Sequence, residues 1–104
     1  MSVNTEVHVG DVGTKFLVTI KENGVALNIS TATVKKIRFR RPDNTTLDKT
    51  AVFETDGTDG KIYYLSIAGD LTIKGTWSIQ GFITMPGWSG HSKIGSFMVN
   101  ENLI

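Results

Sequence analysis

The sequence predicts an all-β chain: one antiparallel sandwich of about seven strands filling a single domain over residues 1–104. Three observations carry this. Apolar residues recur at period two almost throughout, and no window holds the i, i+3, i+4 stripe of an amphipathic helix. Turn-forming clusters interrupt those runs at intervals of about 8–12 residues, the rhythm of a sandwich. Eleven glycines against two prolines supply turns rather than disorder. A chain of 104 residues buries roughly 65% of its extended surface, enough for a core without cross-links. It needs that, because cysteine is absent and no disulfide can form, which favours assembly in a reducing compartment.

The elements follow in order. Val3 to Val9 reads as a first edge strand, ended by Gly10-Asp11-Val12-Gly13. Phe16, Val18 and Ile20 alternate with Leu17, Thr19 and Lys21 in a second strand, which stops at the hairpin signal Glu22-Asn23-Gly24. Val25, Leu27 and Ile29 fill the connection to a third strand, Thr33 to Arg40. There Ile37 and Phe39 take one side and Lys36, Arg38 and Arg40 the other, so one face is wet. Pro42 and Asp43 mark a type I turn, and Thr46 to Glu54 returns with Leu47, Ala51 and Phe53 in phase. After the turn cluster Thr55 to Gly60, the strand Lys61 to Ile67 places Ile62 and Tyr64 out of phase with Leu65 and Ile67, predicting a bulge or burial on both sides. Met85 to Gly90 reads as a turn before a last strand from Ser92 to Val99. At most one helical turn is expected, near Thr31 or Asp70.

The stretch between these last strands, GDLTIKGTWSIQGFI at 69–83, refines the fold class to an immunoglobulin-like sandwich. In such domains a tyrosine opens a central strand after a tight corner, and a cysteine of the inter-sheet bridge follows two residues later. Trp77 and Ile79 stand in those places, on one face with Gly81 and Ile83. They are expected to be the core that replaces the disulfide.

Eleven basic and ten acidic residues leave a formal charge of +1, so no global field draws the chain to nucleic acid or an anionic membrane. No stretch approaches a membrane span, and the polar amino terminus lacks a signal-peptide core, from which synthesis in the cytosol is expected. His8 and His91 have no partners at metal-ligand spacing, and no nucleophile elbow or phosphate loop is present. The expectation is a non-enzymatic protein with no cofactor and no metal. Asp56 and Asp59 fit turn chemistry better than a calcium loop.

Two sets could form a partner interface. Lys36, Arg38 and Arg40, within the run Lys35 to Arg41, form either a solvated face or a dock for an acidic protein surface. No aromatic is interleaved on their own face to stack a base. Phe82, Met85, Pro86 and Trp88 are the suggestive apolar set: Phe82 falls opposite Trp77, and Trp88 stands at a turn where it either projects or folds back over the sandwich end.

Four stretches together resemble the amino-terminal domain of phage baseplate upper proteins: DVGTKFLVTI at 11–20, TATVKKIRFRRPDNTT at 31–46, DGTDGKIYYLSI at 56–67 and the corner at 69–83. The resemblance implies a virion structural part, present in several copies, that docks on other virion proteins of the tail, baseplate, neck or capsid. It also implies synthesis in the host bacterial cytoplasm. Family members usually continue into linker helices and a further domain, whereas this chain ends at Asn102-Leu103-Ile104, so a small tail or baseplate accessory or adaptor is expected first. Capsid decoration or a neck protein is the alternative. A carbohydrate or cell-surface binding module, stacking a sugar on Trp88, Trp77 or Tyr63, is a further one.

Overall fold

A computed structural model of the chain describes residues 7–103. The sandwich has a large sheet and a small one. In the large sheet the order is β1 (Val7–His8), β11 (Gly95–Asn100), β9 (Gly75–Met85), β5 (Val34–Arg40), β6 (Thr46–Thr50), with β10 (Trp88–His91) also on β9. The small sheet is β2 (Lys15–Thr19), β8 (Lys61–Leu65), β7 (Val52–Phe53). A separate hairpin, β3 (Lys21–Glu22) with β4 (Val25–Ala26), turns at Asn23 and Gly24, both at positive φ, as its Asn-Gly signal predicts. All pairings are antiparallel except β1 on β11, where the first described strand lies parallel to the last. The rest of the expected strand Val3 to Val9 falls partly outside the described residues.

β9 organises the molecule. It pairs with β5 along one side, and with β11 and then β10 along the other. Its odd-numbered residues Trp77, Ile79, Gly81 and Ile83 point into the core, as their period requires. Trp77 is fully buried, and its indole N–H donates to the carbonyl of Ile73 at 2.9 Å. That bond back to the chain four residues upstream is the one a corner tyrosine makes in immunoglobulin domains, here supplied by an indole. Phe16, Phe39, Trp77 and Phe97 close around it, with Phe16 at 5.0 Å from Phe39 and 4.9 Å from Phe97. Aromatic pairs of this kind contribute about 0.5–1.5 kcal/mol each beyond their buried area. This cluster joins the two sheets in a chain with no cysteine.

Four expectations need correction. Lys61–Leu65 has no bulge: Ile62 and Tyr64 face inward with Ser66, whereas Leu65 and Ile67 are about half exposed at 46% and 55%, so the apolar outward residues broke the pattern rather than the backbone. Thr46 to Glu54 is two strands, because the chain crosses between sheets at buried Ala51, whose N–H donates to the Lys35 carbonyl at 2.9 Å. The turn after β9 is only Pro86-Gly87, with Gly87 at φ 78, so Trp88 begins a strand paired to Met85. The last strand therefore comes in two pieces, β10 and β11, divided around Ser92, whose hydroxyl accepts from the Gly81 N–H at 2.8 Å.

At the end of the sandwich near the corner, Asp70 is buried with three partners. Its carboxylate accepts from the Tyr64 hydroxyl and from the Ile67 N–H, and lies 3.0 Å from Lys49 Nζ. Burial pushes the Asp70 carboxyl up, but the Ile67 N–H, the Tyr64 hydroxyl and Lys49 outweigh it and hold the group below the usual carboxylate range. The Tyr64 hydroxyl is raised, by burial first and then by Asp70. Lys49 is raised by its hydrogen bond to Asp70.

Candidate docking face

The outward side of the large sheet is built by the even-numbered residues of β5 and β9, which alternate against the buried set. Register places them in rows. Lys36 lies opposite Phe82, which lies opposite His91; Asp48 opposite Arg38, opposite Gln80; Thr46 opposite Arg40, opposite Ser78. Two candidate sets of the sequence thus meet here: Phe82 stands beside Lys36 and Arg38, with Arg40 farther along the same face. The aromatic that β5 lacks comes from the neighbouring strand.

Charge on this face is one-sided. Asp48 forms its ion pair with Arg38, through a fork of two bonds at 2.6 and 2.8 Å, and also feels the charge of Lys36. The hydrogen bond and charge of each partner hold Asp48 below the usual carboxylate range and raise Arg38 further. Lys36 and Arg40 have no ion-pair partner among the described residues. Phe82 is half-buried, with its ring centroid 4.9 Å from that of His91. A shallow hollow of about 210 Å³ lies between Lys36, Arg38, Gln80, Phe82 and His91. A smaller one, of about 60 Å³, is bordered by Arg40, Ser78 and Ile94 among others. The arrangement is a flat, basic surface with two apolar anchors, Phe82 and the exposed Ile94.

The rest of both sequence-predicted sets goes elsewhere. Parity removes Lys35, whose Nζ sits 4.5 Å from the Phe53 ring, and Arg41, whose guanidinium lies 5.5 Å from the Trp77 ring and covers the edge of the core. Met85 and Trp88 face inward and pack on the core cluster, with Pro86 exposed at the turn between them. Trp88 folds back across Gly90: a Cβ added there would lie 2.5 Å from the indole. Of the two readings of Trp88, the geometry is that of the folded-back ring.

Asp56 and Asp59 spend their carboxylates on the local chain. Asp56 Oδ1 accepts from the Thr58 N–H and hydroxyl, which lowers its pKa, and Asp59 Oδ1 accepts from the Lys61 N–H. The glycine that follows each aspartate is required by contact: a Cβ on Gly57 would lie 2.9 Å from Ser30 Cα, and one on Gly60 2.7 Å from the Ile20 carbonyl, with φ at +88 and +73.

The sequence reading missed two things. Gln80, His91 and Ile94 border the basic face, and continuing the β9 alternation outward would have found Gln80. The small sheet's outer side carries Leu17, Val52, Tyr63 and Leu65, an apolar strip whose signal was present in the phase conflict at Leu65 and Ile67.

A family model described as the BppU N-terminal domain, a domain of phage baseplate upper proteins, matches residues 1–103. No curated protein matches the chain.

Proposed function

We propose, on the premise that this chain belongs to the BppU N-terminal domain family of phage baseplate structural domains, that it is a non-enzymatic virion subunit working by protein–protein docking. The more specific role is a small accessory or adaptor of the tail or baseplate, present in several copies and made in the host bacterial cytoplasm. The observation that carries the docking surface is the outer face of the large sheet, where Lys36 and Arg38 flank Phe82, Arg40 continues the row beside Ser78, and one carboxylate, Asp48, lies among them. Its partner is another virion protein with an acidic surface and a recess for the phenyl ring. Charge complementarity supplies orientation and on-rate, and the desolvated aromatic supplies the anchor.

A face used by nucleic acid would need a run of stacking rings, whereas Phe82 and His91 form a single pair beside three cations. The sugar-binding reading is weakened in the same way. Trp77 is buried, Trp88 lies over Gly90, and only Tyr63 keeps a ring on an open face, where Lys15 Nζ already sits 4.7 Å from its centroid. Capsid decoration or a neck position remains the alternative within the same class. Mass spectrometry of purified particles should find the chain in mature virions, and labelled antibody should mark the tail. Absence from the particle would sink the proposal, and label on the head would replace the tail position by decoration.

A further inference from the structure

On the side of the sandwich away from β6, both sheets end in open strands. Among the described residues β1 covers the large sheet only at Val99 and Asn100, so β10 keeps its outer edge unpaired. The small sheet ends beside it in β2, which among the described residues pairs with β8 alone.

Alternation shows which peptide groups are open. The Ile20 N–H donates to the Gly60 carbonyl and the Thr14 carbonyl accepts from Ser66, so even-numbered β2 residues face β8 and the peptide groups of Leu17 and Thr19 face out. The Ser92 N–H donates to the Gly81 carbonyl, so Trp88 and Gly90 likewise face β9, leaving those of Ser89 and His91 open.

Where these edges end, a cleft of about 540 Å³ is bordered by Thr19, Lys21, the hairpin turn Asn23-Gly24, His91, Ser92 and Lys93, with no carboxylate among its lining residues. Lys21 and Lys93 flank the two edges, each two residues beyond the end of β2 or β10, and lysines beside an open edge disfavour pairing with a like edge. The same charges favour a strand of opposite sign.

We propose that this cleft receives an extended acidic segment of a partner protein, added as a strand to β10, with carboxylates reaching Lys21 and Lys93. The large sheet already accepts one added strand on this edge, β1 on β11. Main-chain bonds to Ser89 and His91 hold the incoming strand, and its alternate side chains meet the two lysines. The site shares His91 with the basic face but uses neither Arg38 nor Phe82, so substitutions at those two residues tell the sites apart.

The test is an NMR titration of the full ¹⁵N-labelled chain at low salt with two synthetic hexapeptides, one alternating Val and Glu, the other Val and Lys. The Val–Glu peptide is expected to shift the amides of Ser89 and His91 and protect them from exchange, and the Val–Lys peptide to do neither. Lys21→Glu with Lys93→Glu should weaken binding at least tenfold, while Arg38→Glu leaves it within about twofold, with melting curves confirming that both variants fold. Four results would overturn the proposal: no binding at millimolar peptide, equal binding of both peptides, shifts confined to Gln80 and Phe82, or binding seen only after deletion of residues 1–6. Self-association through this edge, read by sedimentation and strengthened by the double reversal, would assign the cleft to a second copy and also overturn it.

Discussion

The two faces of β9 differ residue by residue. Trp77, Ile79 and Ile83 are buried, and the neighbours Ser78, Gln80 and Phe82 stand among cations on the opposite side. The inner face is made of residues that satisfy one another: rings on rings, with an indole bonded to its own chain. The outer face carries groups that the molecule leaves partly unanswered, two of its three cations among them. Stability and the proposed docking are therefore separable along a single strand, and substitutions should sort by parity.

The largest effect is expected on the inner face. Trp77→Ala removes a buried indole and its bond to Ile73, costing about 3–5 kcal/mol in urea denaturation, a large share of the stability of a domain this size. Whatever fraction stays folded should still dock. Asp70→Asn comes next, at about 1–3 kcal/mol, because Lys49 loses its counter-charge and the Tyr64 and Ile67 donors lose an ionised acceptor.

The same residue sets an acid limit. Its folded pKa lies below the unfolded value of about 3.9, so its contribution is fully present above that pH and drains away as pH falls through the folded value. Lys49, raised on folding, contributes below about pH 10.4 and is lost as pH rises through its folded value. Thermal melts of the wild type should decline below about pH 4, and Asp70→Asn should flatten that decline. An unchanged acid limb in the variant would mean that Asp70 does not set it.

Gly60→Ala should cost about 1–3 kcal/mol, since the left-handed φ and the Ile20 carbonyl both oppose a Cβ; a melting temperature equal to wild type would show that the loop relaxes freely. The smallest stability effects belong to the outer face. Phe82→Ala should cost about 1 kcal/mol and Arg38→Glu should leave stability nearly unchanged, yet both should lower incorporation into particles several-fold. Normal incorporation of both variants would make this face a solvated one.

Most of the inner face was legible in the sequence because period two is a local signal, and Trp77, Ile79, Ile37 and Phe39 obey it. The hairpin at Asn23-Gly24 was legible for the same reason: its φ requirement is written in two adjacent residues. The outer face was legible in parts only. Lys36, Arg38 and Arg40 could be read from β5, and Phe82 from β9, but their meeting depends on the register between strands whose paired residues lie 38 to 50 positions apart. The grouping of Phe82 with Trp88 failed because a two-residue turn lets the strand continue sooner than a turn-rich composition suggests, which sends Trp88 inward. Sheet switching at Ala51 left no local mark, since Leu47, Ala51 and Phe53 keep one phase across both sheets.

Because the chain contains no cysteine, a single introduced thiol reports on one position without background. Ser96→Cys lies on the outer face of the large sheet, opposite Ser78, and Thr72→Cys lies in the exposed corner loop. Maleimide labelling of each variant, free and in intact particles, tests the docking face directly. Ser96→Cys should label readily in the free chain and be protected in the particle, while Thr72→Cys labels in both. Equal labelling of Ser96→Cys in the free and assembled states would contradict docking through this face.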